Sequence, residues 1–343
     1  MARTLTTAPM RAIVDGNWQL GTYNTPLKQA NLLDAKPYAL PVPTFIKNLQ
    51  LREWQAFQIC NAEYFIMVAI YNTKKIALGQ FIVYNRLTHE KFRYEKKSLA
   101  SSITIPDTLY GNTVATYTSD NFKLKATHDL DQNKLSLEVD IQNFEKLPNV
   151  KASFSGEHDT KRYVPSVVVM PFDDRKGMYS HKCLMPLSGQ VQLGTQTISF
   201  TPEQSQLILD DHKGYYPYPT RYDWLTGFGR NAAGELIGFN LTDNQVRNKD
   251  HYNENVLWIN GQITPLPAVQ FERPKGVREP WRVRDKSGSV NLIFTPEVHT
   301  SVNLNLGLIA SYYEGPYGRV SGSIADTDVS TCFAMGEEFY LRT

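Results

Sequence analysis

Apolar and polar residues alternate with period two through most of the chain. The run Phe122-Lys123-Leu124-Lys125-Ala126-Thr127-His128 sets Phe122, Leu124 and Ala126 on one side and Lys123, Lys125 and Thr127 on the other, as a half-buried strand requires. Lys134 to Ile141 repeats the pattern, and the polar stretch Asp129 to Asn133 between the two predicts a turn. Val256-Leu257-Trp258-Ile259 and Gln262-Ile263-Thr264 flank Asn260-Gly261, a dipeptide that tolerates the positive φ angles of a type I′ hairpin. Trp281 to Arg284 and Val290 to Phe294 flank Asp285-Lys286-Ser287-Gly288 in the same way. No segment carries a long helical stripe. Turn signals recur about every eight to twelve residues, a spacing that predicts antiparallel β-meanders closing as barrels or strongly curved sheets.

The chain has 343 residues, more than one core usually serves, and the prior of about 150 residues per domain favours two. The loop Pro171-Phe172-Asp173-Asp174-Arg175-Lys176-Gly177 follows the apolar run Val167 to Met170 and precedes a second series of hairpins. A seam there divides the chain into a domain over 1–175 and another over 176–343. Pro37 to Pro43 reads as an extended arm crossing the surface. The segment Pro186-Leu187-Ser188-Gly189 reads as a turn.

Composition narrows the partners. Hydrophobic residues make up 41%, enough for a sizeable core, and the formal net charge of +2 is too balanced for a nucleic-acid or anionic-membrane partner. Arg282 and Arg284 alternate with Val283 behind Trp281, which favours a solvated strand face over a phosphate track. Cys60, Cys183 and Cys332 are far apart and lack metal spacing, so reduced, buried thiols are expected. The amino-terminal residues carry no apolar core of signal-peptide length, and no run approaches the roughly 18 apolar residues of a membrane span. A cytoplasmic location is expected on these grounds, with no stable membrane insertion.

The stretch from Leu209 to Trp258 holds more chemistry than a sandwich needs. Asp210 and Asp211 are adjacent and must point to opposite faces of a strand. Asp211 shares parity with Leu209 and so the apolar face, while His212 shares the face of Asp210. A carboxyl buried among Tyr215, Tyr216 and Trp224 would have a raised pKa and could act as a general acid. The plainer reading of Asp-His-Lys-Gly is a turn whose carboxylate caps backbone donors. Tyr216, Tyr218, Tyr222 and Trp224 share parity, but Pro217 and Pro219 argue for a broken or edge strand. Aromatic stripes are more often core than cavity; here they would suit a pocket for an apolar ligand with one polar group. Glu254, in Tyr252-Asn253-Glu254-Asn255, would be a second acid/base partner or a polar anchor, against an Asx-type turn as the simpler role. His181 is the fourth candidate, against the usual fate of a strand histidine as a satisfied core or surface residue. Nucleotide-binding loops, a nucleophile elbow and HExxH are absent, and Asp-Asp-His would need distant help to bind a metal, so no cofactor or metal is expected.

Trp54 in Leu51-Arg52-Glu53-Trp54, Ser180-His181-Lys182 with Pro186 to Gly189, Leu209 to Pro217, Gly238-Phe239-Asn240-Leu241-Thr242 and Asn253-Glu254-Asn255 together resemble a bacterial family of unknown function, DUF2804. That family is more remotely similar to the AttH-like and carotenoid 1,2-hydratase superfamily, whose members carry two lipocalin-like β-barrel domains. The shared pattern maps to Asp211-His212 and Asp223-Trp224. In the hydratases an acidic residue is thought to protonate an isoprenoid double bond while aromatic rings shield the cation. The resemblance implies Asp211 as the acid and Tyr216 and Trp224 as cation-facing rings. This chain departs from the hydratase pattern in having Leu209 before Asp210 and a displaced Gly214.

The expectation is an all-β protein of two lipocalin-like halves with a pocket in the carboxy-terminal half. Its catalytic residues would be Asp211, His212, His181 and Glu254, and its ligand contacts Tyr215, Tyr216, Tyr218, Tyr222, Trp224, Asn253 and Asn240. The leading reading is cofactor-independent hydration, isomerisation or cyclisation of a small lipophilic, isoprenoid- or lipid-like molecule. A carrier that holds such a molecule unchanged, and a polar site for a sugar-like ligand, are the alternatives. The oligomeric state is not set by the sequence.

Overall fold

The computed structural model describes residues 3–305 and 310–342. It is all-β, built from two curled antiparallel sheets in the manner of two lipocalin-like halves, with one α-helix among the described residues, Thr44–Gln50. The first sheet runs Lys91–Leu99, Ile76–Asn85, Tyr64–Asn72, Arg52–Cys60, Gln206–Gly214, Gly177–Leu193, Val150–Glu157, Lys134–Ile141, Phe122–Asp129, Thr113–Ser119 and Ile103–Thr104. The second has Thr220–Arg230 and Phe333–Arg342 at its centre, with Leu236–Asn244 and Val256–Ile259 on one side and Tyr317–Ile324 and Val290–Val298 on the other. No helix among the described residues is long and apolar enough to cross a membrane.

The predicted hairpins form at their local signals. Asn260 and Gly261 take φ values of 46° and 79° between Val256–Ile259 and Gln262–Pro265, as a type I′ turn requires. Asn133, at φ 54°, closes the turn between Phe122–Asp129 and Lys134–Ile141. In Trp281–Asp285 the side chains alternate buried and exposed, so Arg282 and Arg284 face solvent. The three cysteines are buried and free.

Two expectations fail. The seam placed at residue 175 falls inside the first sheet, because Ser166–Pro171 and Gly177–Leu193 pair with each other and the latter pairs with Gln206–Gly214. The chain passes to the second sheet only between Gly214 and Thr220. Nor do Pro186 to Gly189 turn. The strand Gly177–Leu193 runs through them, exchanging Gln206–Gly214 for Val150–Glu157 as its partner. Gly189 makes this possible: a Cβ there would lie 2.4 Å from the Ser153 carbonyl oxygen and 2.7 Å from the Phe154 ring.

Burial distinguishes two kinds of strand. Val150–Glu157 alternates strictly between buried and exposed, with one face on the barrel core and the other in water. Gln206–Gly214 is buried at every position. Its odd face points into the first barrel, and its even face is covered by the second sheet. A strand buried on both faces is usually apolar throughout, yet this one carries Asp210, Asp211, His212 and Lys213. Their partners define the site.

Candidate functional site

One face of each central strand walls a cavity of about 360 Å³ between the two sheets, within the size of small-molecule sites. Trp54, Ala56 and Gln58 come from Arg52–Cys60, Met67, Ala69 and Tyr71 from the neighbouring strand, and Lys182, Asp210 and His212 from the next two. The second sheet supplies Tyr222, Trp224, Thr242, Tyr313, Met335 and Glu337, with Glu254 in the loop before Val256–Ile259. The cavity therefore belongs to neither half.

One polar cluster starts from the first-sheet wall and reaches the second through Glu254. Lys182 Nζ lies 2.6 Å from Asp210 Oδ1 and 3.5 Å from Glu254 Oε2. Burial alone would push the Asp210 carboxyl up, but Lys182 and His212 hold it well below its ordinary range. Burial works against the Lys182 ammonium as well, and its two carboxylates keep it above the ordinary lysine value. Asp210 is therefore an anion, unsuited to donate a proton. The His212 ring stacks on Trp54 with centroids 4.0 Å apart, and its Nδ1 lies 3.8 Å from Asp210 Oδ1. Neither ring nitrogen has a hydrogen-bond partner among the described residues. Glu254 accepts from Thr242 Oγ1 at 2.9 Å, while Asn240 accepts from Trp224 Nε1 at 2.7 Å and donates to the Glu254 carbonyl at 3.0 Å.

A second cluster occupies the facing wall. Glu337 Oε2 accepts from the Tyr222 hydroxyl at 2.8 Å and Oε1 from the Tyr313 hydroxyl at 3.0 Å. Burial raises the Glu337 carboxyl to about 7, with the Asp210 charge adding to the rise and the two tyrosine bonds opposing it. Nothing local in the sequence marks this residue, which sits between Gly336 and Glu338. Its one signal is tertiary, the antiparallel register that sets it opposite Trp224.

Of the residues expected at the site, His212, Glu254, Tyr216, Tyr222 and Trp224 line the cavity. Asn240 braces Trp224 and Glu254 from behind. Asp211 and His181 lie on the other face, inside the first barrel, where Asp211 accepts from Gln55 Nε2 at 3.0 Å and His181 Nε2 is 3.2 Å from His158 Nε2. The parity argument separated Asp210 from Asp211 correctly. It took the apolar face for the pocket, whereas that face is a filled barrel core. Burial also raises the Asp211 carboxyl, to about 6, but nothing in its surroundings opens to the cavity. Tyr215 packs with Leu51 and Tyr179 in a separate core. Tyr218 is 63% exposed where the chain crosses between sheets. The Asn253 side chain shapes its own loop through Lys249 and Asn255.

The fold is shared with solved structures. CghA, solved with Sch210972, superposes with a TM-score of 0.56 at 11% identity, covering 86% of this chain and 89% of that one. Kievitone hydratase from Nectria haematococca gives 0.52 at 13% identity, covering 93% and 97%. No curated protein matches the sequence. The model described as "Domain of unknown function (DUF2804)" matches residues 8–335, and the chain belongs to that family.

Proposed function

We propose that this protein is a cofactor-independent acid/base enzyme, of hydratase, isomerase or cyclase type, acting on an apolar isoprenoid- or lipid-like molecule held between the sheets. The observation that carries the reading is Glu337, a buried carboxyl on the cavity wall that titrates near neutrality, as a proton donor must. Across the cavity, His212 offers an imidazole without a hydrogen-bonded partner among the described residues. Trp54, Tyr71, Tyr216 and Trp224 surround the intervening space with Ala56, Ala69 and Met67, a wall suited to hydrocarbon and to a developing cation more than to a sugar.

In the hydration form, a substrate π pair takes the Glu337 proton and becomes a C–H bond, while the O–H pair remains on the carboxylate. The Tyr222 and Tyr313 hydroxyls stabilise that carboxylate. Water adds to the cationic carbon and its proton passes to His212, whose imidazolium the Asp210 anion stabilises. In the isomerase or cyclase form, His212 takes a C–H proton instead. Proton exchange with solvent restores both groups. The shared fold with a hydratase supports the reading.

The test is incubation with isoprenoid alkenes and polyenes in D2O, with deuterium incorporation and water addition read by mass spectrometry. Glu337→Gln should lower turnover by about 10²–10⁴-fold while leaving binding intact. If the unaltered protein binds the panel but incorporates no deuterium and adds no water, it is a carrier.

A further inference from the structure

The cavity's charges do not all pair within the protein. Of its lining cations, Lys182 is held by Asp210 and Glu254, and Arg93 and Lys97 by Glu95. Arg52 lines the cavity half-buried, and among the described residues no carboxylate reaches its guanidinium within 4.0 Å. Among the described residues its guanidinium makes one hydrogen bond, to Thr220 Oγ1 at a marginal 3.5 Å. The next residue, Arg221, also borders the cavity, is exposed, and has no salt bridge among the described residues. Arg52 sits on the first sheet and bonds Thr220, the residue before Arg221 on the second, so two guanidinium groups without a salt bridge among the described residues border the cavity near where the chain crosses between sheets.

We infer that Arg52, assisted by Arg221, binds a carboxylate at one end of the ligand, so that the molecule held between the sheets is an apolar acid rather than a neutral hydrocarbon. This rests on the apolar-cavity reading above and specifies its substrate class. A planar guanidinium matches a carboxylate with two parallel hydrogen bonds. Partial burial on the cavity wall strengthens the pairing relative to open solvent. Anchoring at the rim would leave the hydrocarbon tail pointing inward between His212 and Glu337, with no charged group forced past the aromatic wall.

Displacement of an environment-sensitive apolar dye by farnesoic acid, its methyl ester and farnesol tests the inference at neutral pH. The unaltered protein should prefer the acid to the ester by tenfold or more. Arg52→Gln should erase most of that preference while keeping ester affinity unchanged, and Arg52→Lys should retain part of it. Ester binding by each variant also reports that the cavity is folded. Equal affinity for acid and ester, or a preference that survives Arg52→Gln combined with Arg221→Gln, would overturn the assignment and leave the apolar cavity standing. If none of the three probes displaces the dye, the apolar-cavity reading falls as well.

Discussion

Lys182 is the residue whose removal should be felt most. It is 3% exposed, with Asp210 at 2.6 Å and Glu254 at 3.5 Å. Lys182→Met keeps most of the stem's packing and deletes only the charge. Asp210 then loses the group that holds it ionised and retains the burial that opposes ionisation. Removing one partner of a buried pair costs about 3–5 kcal/mol, because the remaining charge is uncompensated. With an unfolding entropy of about 2.1 cal/mol/K per residue, 343 residues give about 0.7 kcal/mol/K, so the thermal midpoint should fall by about 4–7 °C at pH 7. The penalty has a pH signature. In the variant the folded-state pKa of Asp210 lies above its unfolded value, so the destabilisation is full at neutral pH and is relieved as pH falls through the new folded pKa. Calorimetry at pH 7 and pH 5 on Lys182→Met and on Lys182→Met/Asp210→Asn checks both points. The double variant should recover at least half of the loss. A loss of under about 1 kcal/mol, or one equal at both pH values and unrelieved by Asn, would refute the argument and reduce Lys182 to its hydrocarbon stem.

Two further outcomes follow from residues away from the cavity. Burial pushes His128 and His158 down to about 3, so the folded state keeps them neutral while an unfolded chain binds protons below about 6.5. Their contribution is whole above that value and is lost as pH falls toward 3. His158→Gln should therefore gain on the parent by about 1.4 kcal/mol per pH unit between about pH 6 and pH 4. The raised carboxyls of Asp211 and Glu337 act oppositely in both proteins and cancel; a pH-independent difference in urea midpoints would remove the histidine from the account. Gly261→Ala places a Cβ 2.1 Å from the Arg162 carbonyl oxygen at a φ of 79°. It should cost more than about 1 kcal/mol and loosen the contact in which Val164 N–H donates to the Gly261 carbonyl at 2.8 Å, read as faster amide exchange at Val164.

What the sequence conveyed well was local. Asn260-Gly261 specifies its hairpin through two positive φ values, and strand parity alone assigns Asp210 and Asp211 to opposite faces. What it could not convey was which face bounds open space. Leu209 beside Asp211 signals an interior, and the interior is real, but it is a packed barrel in which Gln55 and His128 occupy the room. The open space lies on the outer face, and it is enclosed only because a second sheet covers it. Glu337 is invisible for the same reason, since this mid-strand glutamate becomes a cavity group only through pairing with a strand more than a hundred residues away. The seam at 175 failed because a loop with strong turn chemistry need not end a sheet, and here it joins the hairpin Ser166–Pro171 and Gly177–Leu193.

A cavity walled by two sheets also changes what an occupant does to the protein. The sheets are joined in sequence by one crossing, between Gly214 and Thr220. A molecule held there would touch Trp54 and Tyr71 on one side and Trp224 and Glu337 on the other and would act as a noncovalent strut between the sheets. Its affinity then includes the adhesion of the two halves, and a mutation that loosens their docking weakens the ligand without touching it. Cut at the crossing, the chain would become two fragments that already meet through shared apolar packing, Phe65 against Phe228, Tyr317 and Phe333, and an occupant would add its own contacts to that adhesion.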